Sequence, residues 1–567
     1  MLFADVEGDD LYPAVARLWV IVIGDENSRI AYADQPGYPS ISEGLDRLRA
    51  ASKIVFHNGL GYDFWAINKL YPNTLRRDQV VDSLILCRMK DPESKHSLEL
   101  LGERIGINKG DHRDFSRFSE QMVTYCLRDV EILQAYWSKL AGYYKAYPQA
   151  VECEHAVGYA LACQEHHGFR LHVGKAQALE RTLRSELLAI ERKLQSVFPP
   201  ITHVRVSEKT GKLLKPKVEH FNPGSRQQIA QRLWDKYKWK PTLFTETGQP
   251  KIDESTLKEC PGAEAKLLMD YFGLQKKLGQ LADGDNAWLK LVDKDHYVHG
   301  RVNQCGARTH RMSHFGPNMA QVDSDPRMRE CWIPDEGEVL VGCDADSLEL
   351  RMLAHYLGKY DDGEFSRSLL EGRKEDGTDV HSRNQKAAQF HSRDNAKTLI
   401  YALLYGAGDA KLGKIVRHDA DGASVRVQGS DTALGKQVRA NLLTGVKGLD
   451  RLVATVQRLH AKQQWLPAID GRPIKSASEH SALNTLLQSA GGIVMKYALV
   501  IFDQTHGHLV NYCANVHDEV QMSVKPEHAE AVGQAFAAAI QKAGEHLGIR
   551  CPLKGNYDIG NSWADTH

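Results

Sequence analysis

Residues 511–524 read NYCANVHDEVQMSV, a strand-like apolar run with His517, Asp518 and Glu519 side by side in its middle. Adjacent carboxylates repel, and burying part of one without a cation or donor costs roughly 1–3 kcal/mol or more. Something positive should sit there. A comparable acid lies upstream: VLVGCD, residues 339–344, is an apolar strand ending at Asp344, and a helix follows at once with Glu349 and Arg351 near its start.

A third segment, RDNAKTLIYALLYGAGD (393–409), has helical spacing. Arg393, Lys397, Tyr401 and Tyr405 recur every four residues, so the first three share a face that drifts by about 40° per step. Two cations and a ring on one face suit a nucleoside triphosphate, with the charges on phosphates and the ring beside base and sugar. Alone, the helix reads better as a solvated basic stripe with a core tyrosine; beside VHDEV the nucleotide reading prevails.

The N-terminal 145 residues alternate strand-like and helix-like text, an α/β pattern. In LFADVEGDD, Asp5 and Glu7 are two apart and so share one face of a strand. That pair alone is ordinary for a solvated strand. Asp63, opening a helix after FHNGLGY, and Tyr125 and Asp129 in TYCLRDVEIL, one helical turn apart, change its weight. Hydrolysis of a phosphodiester uses two divalent cations about 3.5–4 Å apart, and hard cations take carboxylate oxygens. Asp82 and His96 are read as structural.

Helical text from about 150 runs to the breaker FPPI at 198–201, and a basic stretch from Thr202 to Glu219 follows, read as a solvated loop or hairpin. Helices then resume before a β-rich stretch from Val298 to Asp344. The chain holds 72 basic and 72 acidic residues, so attraction to a polyanion must be local. Ten cysteines occur singly, which argues against a disulfide framework or zinc ribbon and for a reducing, cytoplasmic setting. No run is read as a membrane span.

Asp-x-Glu, an Asp after the HN-G-Y turn, and Tyr-x3-Asp together resemble the Asp-Glu-Asp-Asp-Tyr 3′–5′ exonucleases that proofread for DNA polymerases. The three C-terminal segments resemble motifs A, B and C of the family A (Pol I-type) DNA polymerases. The podovirus-type phage branch is the nearest match, through RDNAKTLIYALLYGAGD, HSRNQKAA (381–388), ALNTLLQSAG (482–491) and the ending GNSWADTH. The resemblance spans essentially the whole chain.

It implies a mixed α/β protein: an RNase H-like exonuclease domain (1–148), thumb and linker (149–300), first palm segment (301–358), fingers (359–480) and second palm segment (481–567). Primer–template DNA and dNTPs are the implied partners, and two Mg²⁺ per active site, with Mn²⁺ able to substitute, the implied cofactors. At the polymerase site Asp344, Ala345 and Asp518 are implied metal ligands and Glu519 a secondary acid. Arg393, Lys397 and His381 would grip the triphosphate, Lys397 donating a proton to pyrophosphate, while Tyr401 lies against the sugar and Glu349 closes the space beside C2′. Arg311, Gln321, Asn484, Gln488 and His517 would touch the primer–template, a core histidine being the alternative for His517.

At the exonuclease site Asp5, Glu7 and Asp129 would bind metal directly, Asp63 through water, and Tyr125 would orient the attacking water. The family's usual Thr-Gly-Arg reads Thr309-His310-Arg311 here. The resemblance implies an exonuclease joined directly to the polymerase, with no 5′-nuclease expected ahead of it. A family relative recruits thioredoxin through a long thumb insert; only the basic stretch 202–219 stands there, so a thioredoxin clamp is not expected, and helicase–primase or single-stranded-DNA-binding protein are the candidate replication partners. A single-subunit RNA polymerase shares the Asp, Lys and HD elements; Glu349 and the N-terminal acids argue against it.

Overall fold

A computed structural model describes residues 1–567 other than Thr242 and Glu246. Leu2–Gly8, whose alternation buries Ala4 and Val6 and turns Asp5 and Glu7 to the other face, is the middle strand of a five-stranded sheet. It pairs antiparallel with Leu18–Gly24, which pairs with Arg29–Tyr32, and parallel with Ile54–Phe56, which pairs with Val80–Asp82. The apolar run LWVIVIG supplies a strand buried along almost its whole length. Glu120–Ala146, a 27-residue helix capped by Ser119, packs its Cys126, Val130 and Leu133 face on this sheet and so carries Tyr125 and Asp129 to Asp5 and Glu7.

The chain turns at Tyr147, and Pro148 opens the next helix, Pro148–His167, as its fixed φ allows at a first turn. Val173–Val197 follows, packed against Ala263–Leu278. Between them the basic stretch forms a two-stranded hairpin, Ile201–Val206 with Leu213–Glu219, exposed on both strands.

Asn511–Val524 is two strands rather than one. Val510–Val516 and Glu519–Val524 are antiparallel, and His517 turns the chain at φ 56°. The acids that seemed costly in mid-strand therefore stand at a hairpin tip. Glu519–Val524 pairs in turn with Val339–Ala345, and that strand with Gly555–Gly560, giving an antiparallel four-stranded sheet. The stretch from Val298 to Asp344 is less β-rich than its composition implied: before Val339 it holds only short strands, the longest of three residues.

The helix Ala482–His506 lies against Leu348–Leu357 and Pro526–His546 in the largest core. It corrects one expectation, being long and apolar enough to cross a membrane: an 18-residue window in it has a mean hydropathy of 1.5, and 78% of that window is buried inside the protein, the apolarity of a core helix. Asp409–Gly422 and Asp431–Gly445 cross so closely that a Cβ on Gly413 would lie 1.7 Å from the Asp431 carbonyl and one on Gly435 1.7 Å from that of Asp409. Only glycine fits there.

Candidate active sites

In the C-terminal sheet, Asp344 is exposed as the last residue but one of its strand, and the Ala345 amide donates to the Asp518 carbonyl at 3.1 Å, fastening the hairpin tip beside it. Partial burial together with Asp518, Asp346 and Asp558 holds the Asp344 carboxyl above its ordinary range; burial and then Glu349 do the same for Asp518. Arg311 and His517 only partly offset this for Asp518.

Glu519 departs from the expectation of a secondary acid at the metals. It is buried, Oε1 accepting from Gln521 at 2.6 Å and from the Trp563 indole, and Oε2 pairing with His567 at 2.7 Å. With both oxygens occupied, it buttresses the strand. Asp558, opposite Gly342 on the neighbouring strand and on the Asp344 face, is an acid that no motif signalled.

Glu349, in the first turn of Leu348–Leu357, accepts from Arg311 Nη2 at 3.1 Å and from the Tyr405 hydroxyl at 2.9 Å. Tyr401 lies one turn back on Arg393–Leu404, its ring 6.4 Å from that of Tyr405 and 6.3 Å from that of His381. Arg393 does not stand free: it pairs with Asp379 at 2.7 Å, which also caps the helix Val380–Ala388 that carries His381. Lys397 is exposed on the same face. Asp379 could have been recognised in sequence as an N-cap preceding VHSRNQKAA.

Asn484 and Gln488 sit half-buried one turn apart on Ala482–His506, and Gly492 lets Arg311 pack against that helix, a Cβ there lying 3.1 Å from Arg311 Cγ. His517 is exposed at its turn rather than a core histidine. Gln321 is exposed on the short turn Met319–Gln321, where its carbonyl accepts from Gln280, and among the described residues no hydrogen bond joins its side chain to the other expected DNA ligands.

His310 has φ 57°, a conformation that favours glycine, which is the physical sense of the departure from Thr-Gly-Arg. Its ring is buried, with Nδ1 3.4 Å from Arg472. Arg472 pairs with Glu154 and with Asp470 at 2.7 Å, and Lys496 reaches Glu154 at 2.6 Å, all fully buried. Burial alone would raise Glu154, but Lys496 and Arg472 hold it down to about 2. This core ion network, invisible in the sequence because Glu154 lies 318 residues from Arg472 and 342 from Lys496, sits under the loop that carries Arg311.

In the N-terminal sheet, Asp5, Glu7 and Cys126 bring donor atoms within 4.8 Å of one another. Cys126, three residues before Asp129, donates to Asp5 Oδ2 at 3.2 Å and escaped sequence reading. Asp63 opens its helix buried, as is Asp129, and one oxygen of each has no partner among the described residues. Burial, with Asp129 adjacent, lifts Asp5 to about 7; burial with Asp5, Asp129 and Asp63 lifts Glu7 to about 10; burial lifts Asp129 to about 6. Four crowded carboxylates, two of them with a buried oxygen that has no partner among the described residues, are what a hard divalent cation fits.

Tyr125 is half-buried beside them. Asp82 and His96 are structural as read: Asp82 caps the helix Ser83–Lys90, and His96 is held by the Asp91 carbonyl at 2.7 Å. A cleft of about 800 Å³ runs from Asp5 and Asp129 to Arg301, Asn303 and Phe315, on the strands that lead to Arg311.

Two carboxylate centres on two sheets, the second facing a helix of cations and rings, define a nucleotidyl-transfer enzyme, and residues 202–565 match DNA polymerase family A. The chain belongs to that family. It is a DNA-directed DNA polymerase, 30% identical to the enzymes of that name from Enterobacteria phage T3 and Escherichia phage T7, with all of this chain and all of each relative covered. Its fold is also that of the POL domain of Pol1 from M. smegmatis, solved in complex with DNA primer-template and dNTP: the TM-score is 0.77 at 17% identity, covering 100% of this chain and 96% of that one.

Proposed function

We propose that the protein extends a primer on a DNA template with dNTPs at the Asp344–Asp518 centre and removes 3′-terminal nucleotides at the Asp5–Glu7–Asp63–Asp129 centre. The observation that carries the double reading is the separation of two groups of partly or fully desolvated acids onto two different sheets. Divalent cations at both centres, Mg²⁺ with Mn²⁺ able to substitute, would supply Lewis-acid activation of the attacking oxygen and neutralise charge at the phosphorus.

In extension, Asp344 and Asp518, with the backbone of Ala345, would hold the cations that activate the primer 3′-hydroxyl. Arg393, Lys397 and His381 bind the triphosphate, and Lys397 gives its proton to pyrophosphate. Tyr401 supports the sugar; Glu349, fixed by Arg311 and Tyr405, leaves no room for a 2′-hydroxyl. Asn484, Gln488, Arg311, Gln321 and His517 touch minor-groove acceptors common to all base pairs, so geometry is checked without reading sequence. In shortening, Asp5, Glu7 and Asp129 would hold the cations, Asp63 would act through water, and Tyr125 would orient the nucleophile.

On this reading residues 1–148 are the exonuclease domain, 149–300 thumb and linker, 301–358 and 481–567 palm, and 359–480 fingers. The enzyme replicates phage DNA in the host cytoplasm, alongside helicase–primase or single-stranded-DNA-binding protein and without a thioredoxin clamp. An end-labelled primer on a longer template tests the pair of activities: extension with four dNTPs and shortening without them are expected. Shortening with no extension in any condition contradicts the assignment of the C-terminal centre.

A further inference from the structure

The segment from Ile107 to Phe118 crosses the N-terminal acid cluster without helix or strand. It is fastened at its far end, where the Trp19 indole donates to the Phe115 carbonyl at 2.9 Å, and by the rings of His112 and Phe115, 5.9 and 6.2 Å from that of Tyr125. Near its start Lys109 reaches inward. Its ammonium lies 2.7 Å from Asp129 Oδ2 and 4.6 Å from the centre of the Tyr125 ring, and the side chain lines the same cleft as Asp5 and Asp129. Among the described residues it is the only base ion-paired with any of the four acids.

We propose that Lys109 is a built-in stand-in cation of the exonuclease centre, which neutralises Asp129 while metal is absent and must leave that carboxylate before metal binds it. The inference rests on the exonuclease reading above. A Mg²⁺ coordinates a carboxylate oxygen at about 2.0–2.1 Å. An ammonium on the same group would stand a few ångströms from that ion, as a like charge in a poorly solvated site. Asp129 Oδ1 and Asp63 Oδ1 are buried without a partner among the described residues, as oxygens awaiting an ion would be, and Lys109 guards the oxygen beside the first of them.

The ammonium has somewhere to go. It rests on the Tyr125 face, and a phosphodiester entering the cleft offers it a new anionic partner. Metal loading thus becomes coupled to the arrival of a DNA 3′ end.

The test is Mn²⁺ binding to the full chain, followed by the paramagnetic resonance of free Mn²⁺, in an Asp344→Ala background so that ions at the C-terminal centre do not dominate the count. Lys109→Met should bind Mn²⁺ about tenfold more tightly than this parent, the low end of what a like charge 4–6 Å away exerts. Lys109→Arg, which keeps the charge, should stay near the parent. The melting temperature of Lys109→Met should fall without metal and recover with Mn²⁺.

Equal or weaker Mn²⁺ affinity in folded Lys109→Met overturns the proposal, and Lys109→Gln repeats the reading should the methionine variant fail to fold. A parent that binds no more Mn²⁺ than its Asp5→Ala, Glu7→Ala derivative overturns the exonuclease reading as well, so the two failures are distinguishable.

Discussion

Asp344 and Glu519 are cross-strand partners, yet only Asp344 presents its carboxylate to solvent; that of Glu519 is consumed by Trp563, Gln521 and His567. Neighbouring acids thus divide into one that works and one that supports. Glu519→Ala leaves the Trp563 indole unpaired and should cost about 1–3 kcal/mol of stability, with extension lowered about 10- to 100-fold, the scale of a supporting group around a metal site. Asp344→Asn and Asp518→Asn should instead remove extension to background at unchanged melting temperature. Steady-state extension and thermal unfolding of the three proteins check this division.

Glu349 holds Arg311 and Tyr405 on one oxygen. Truncation to alanine opens the space beside the sugar and frees both partners. The ratio of kcat/KM for dATP over ATP should fall by about tenfold or more, since rejection here is steric and electrostatic. An unchanged ratio in the variant would remove Glu349 from sugar selection.

Tyr401, half-buried between His381 and Tyr405, has a hydroxyl able to stand in for a missing sugar 3′-hydroxyl. The wild type should accept dideoxynucleotides readily, and Tyr401→Phe should discriminate against them. Competition between ddTTP and dTTP in both proteins is the measurement; equal selectivity contradicts the role.

The Glu154 network gives a stability prediction with a defined pH window. Breaking a buried pair by removing one partner costs about 3–5 kcal/mol, so Glu154→Gln should lower the unfolding midpoint strongly at neutral pH. Glu154 is depressed to about 2 from an ordinary 4.5. A depressed carboxylate stabilises the fold fully above its unfolded value, and that share is lost as pH falls through the folded one. The gap between wild type and Glu154→Gln in urea should therefore be constant above pH 4.5 and narrow progressively below it. A gap that widens in acid would mean that the network destabilises the fold.

What the sequence made legible follows from range. Asp5 with Glu7, Tyr125 with Asp129, and the cationic helix face are set by strand and helix periods, and each came out on the element expected. Glu519 was misjudged because its neutralising partners, Trp563 and His567, arrive from the end of the chain. Arg393 looked free because Asp379 lies one helix earlier, and Lys109 carried no motif at all, its meaning arising only when its loop folds over Asp129. The membrane-like composition of Ala482–His506 was missed because Asn484, Gln488, Lys496 and Asp503 break the run, though the window remains apolar on average.

The central claim is that two independent acid centres perform opposite reactions on one primer end. An end-labelled primer annealed to a longer template, with and without dNTPs, should be followed for the wild type, Asp344→Ala and the double variant Asp5→Ala, Glu7→Ala. The account predicts that Asp344→Ala still shortens the primer but never extends it, and that the double variant extends but never shortens. Loss of both reactions in either folded variant, or extension surviving in Asp344→Ala, would contradict it.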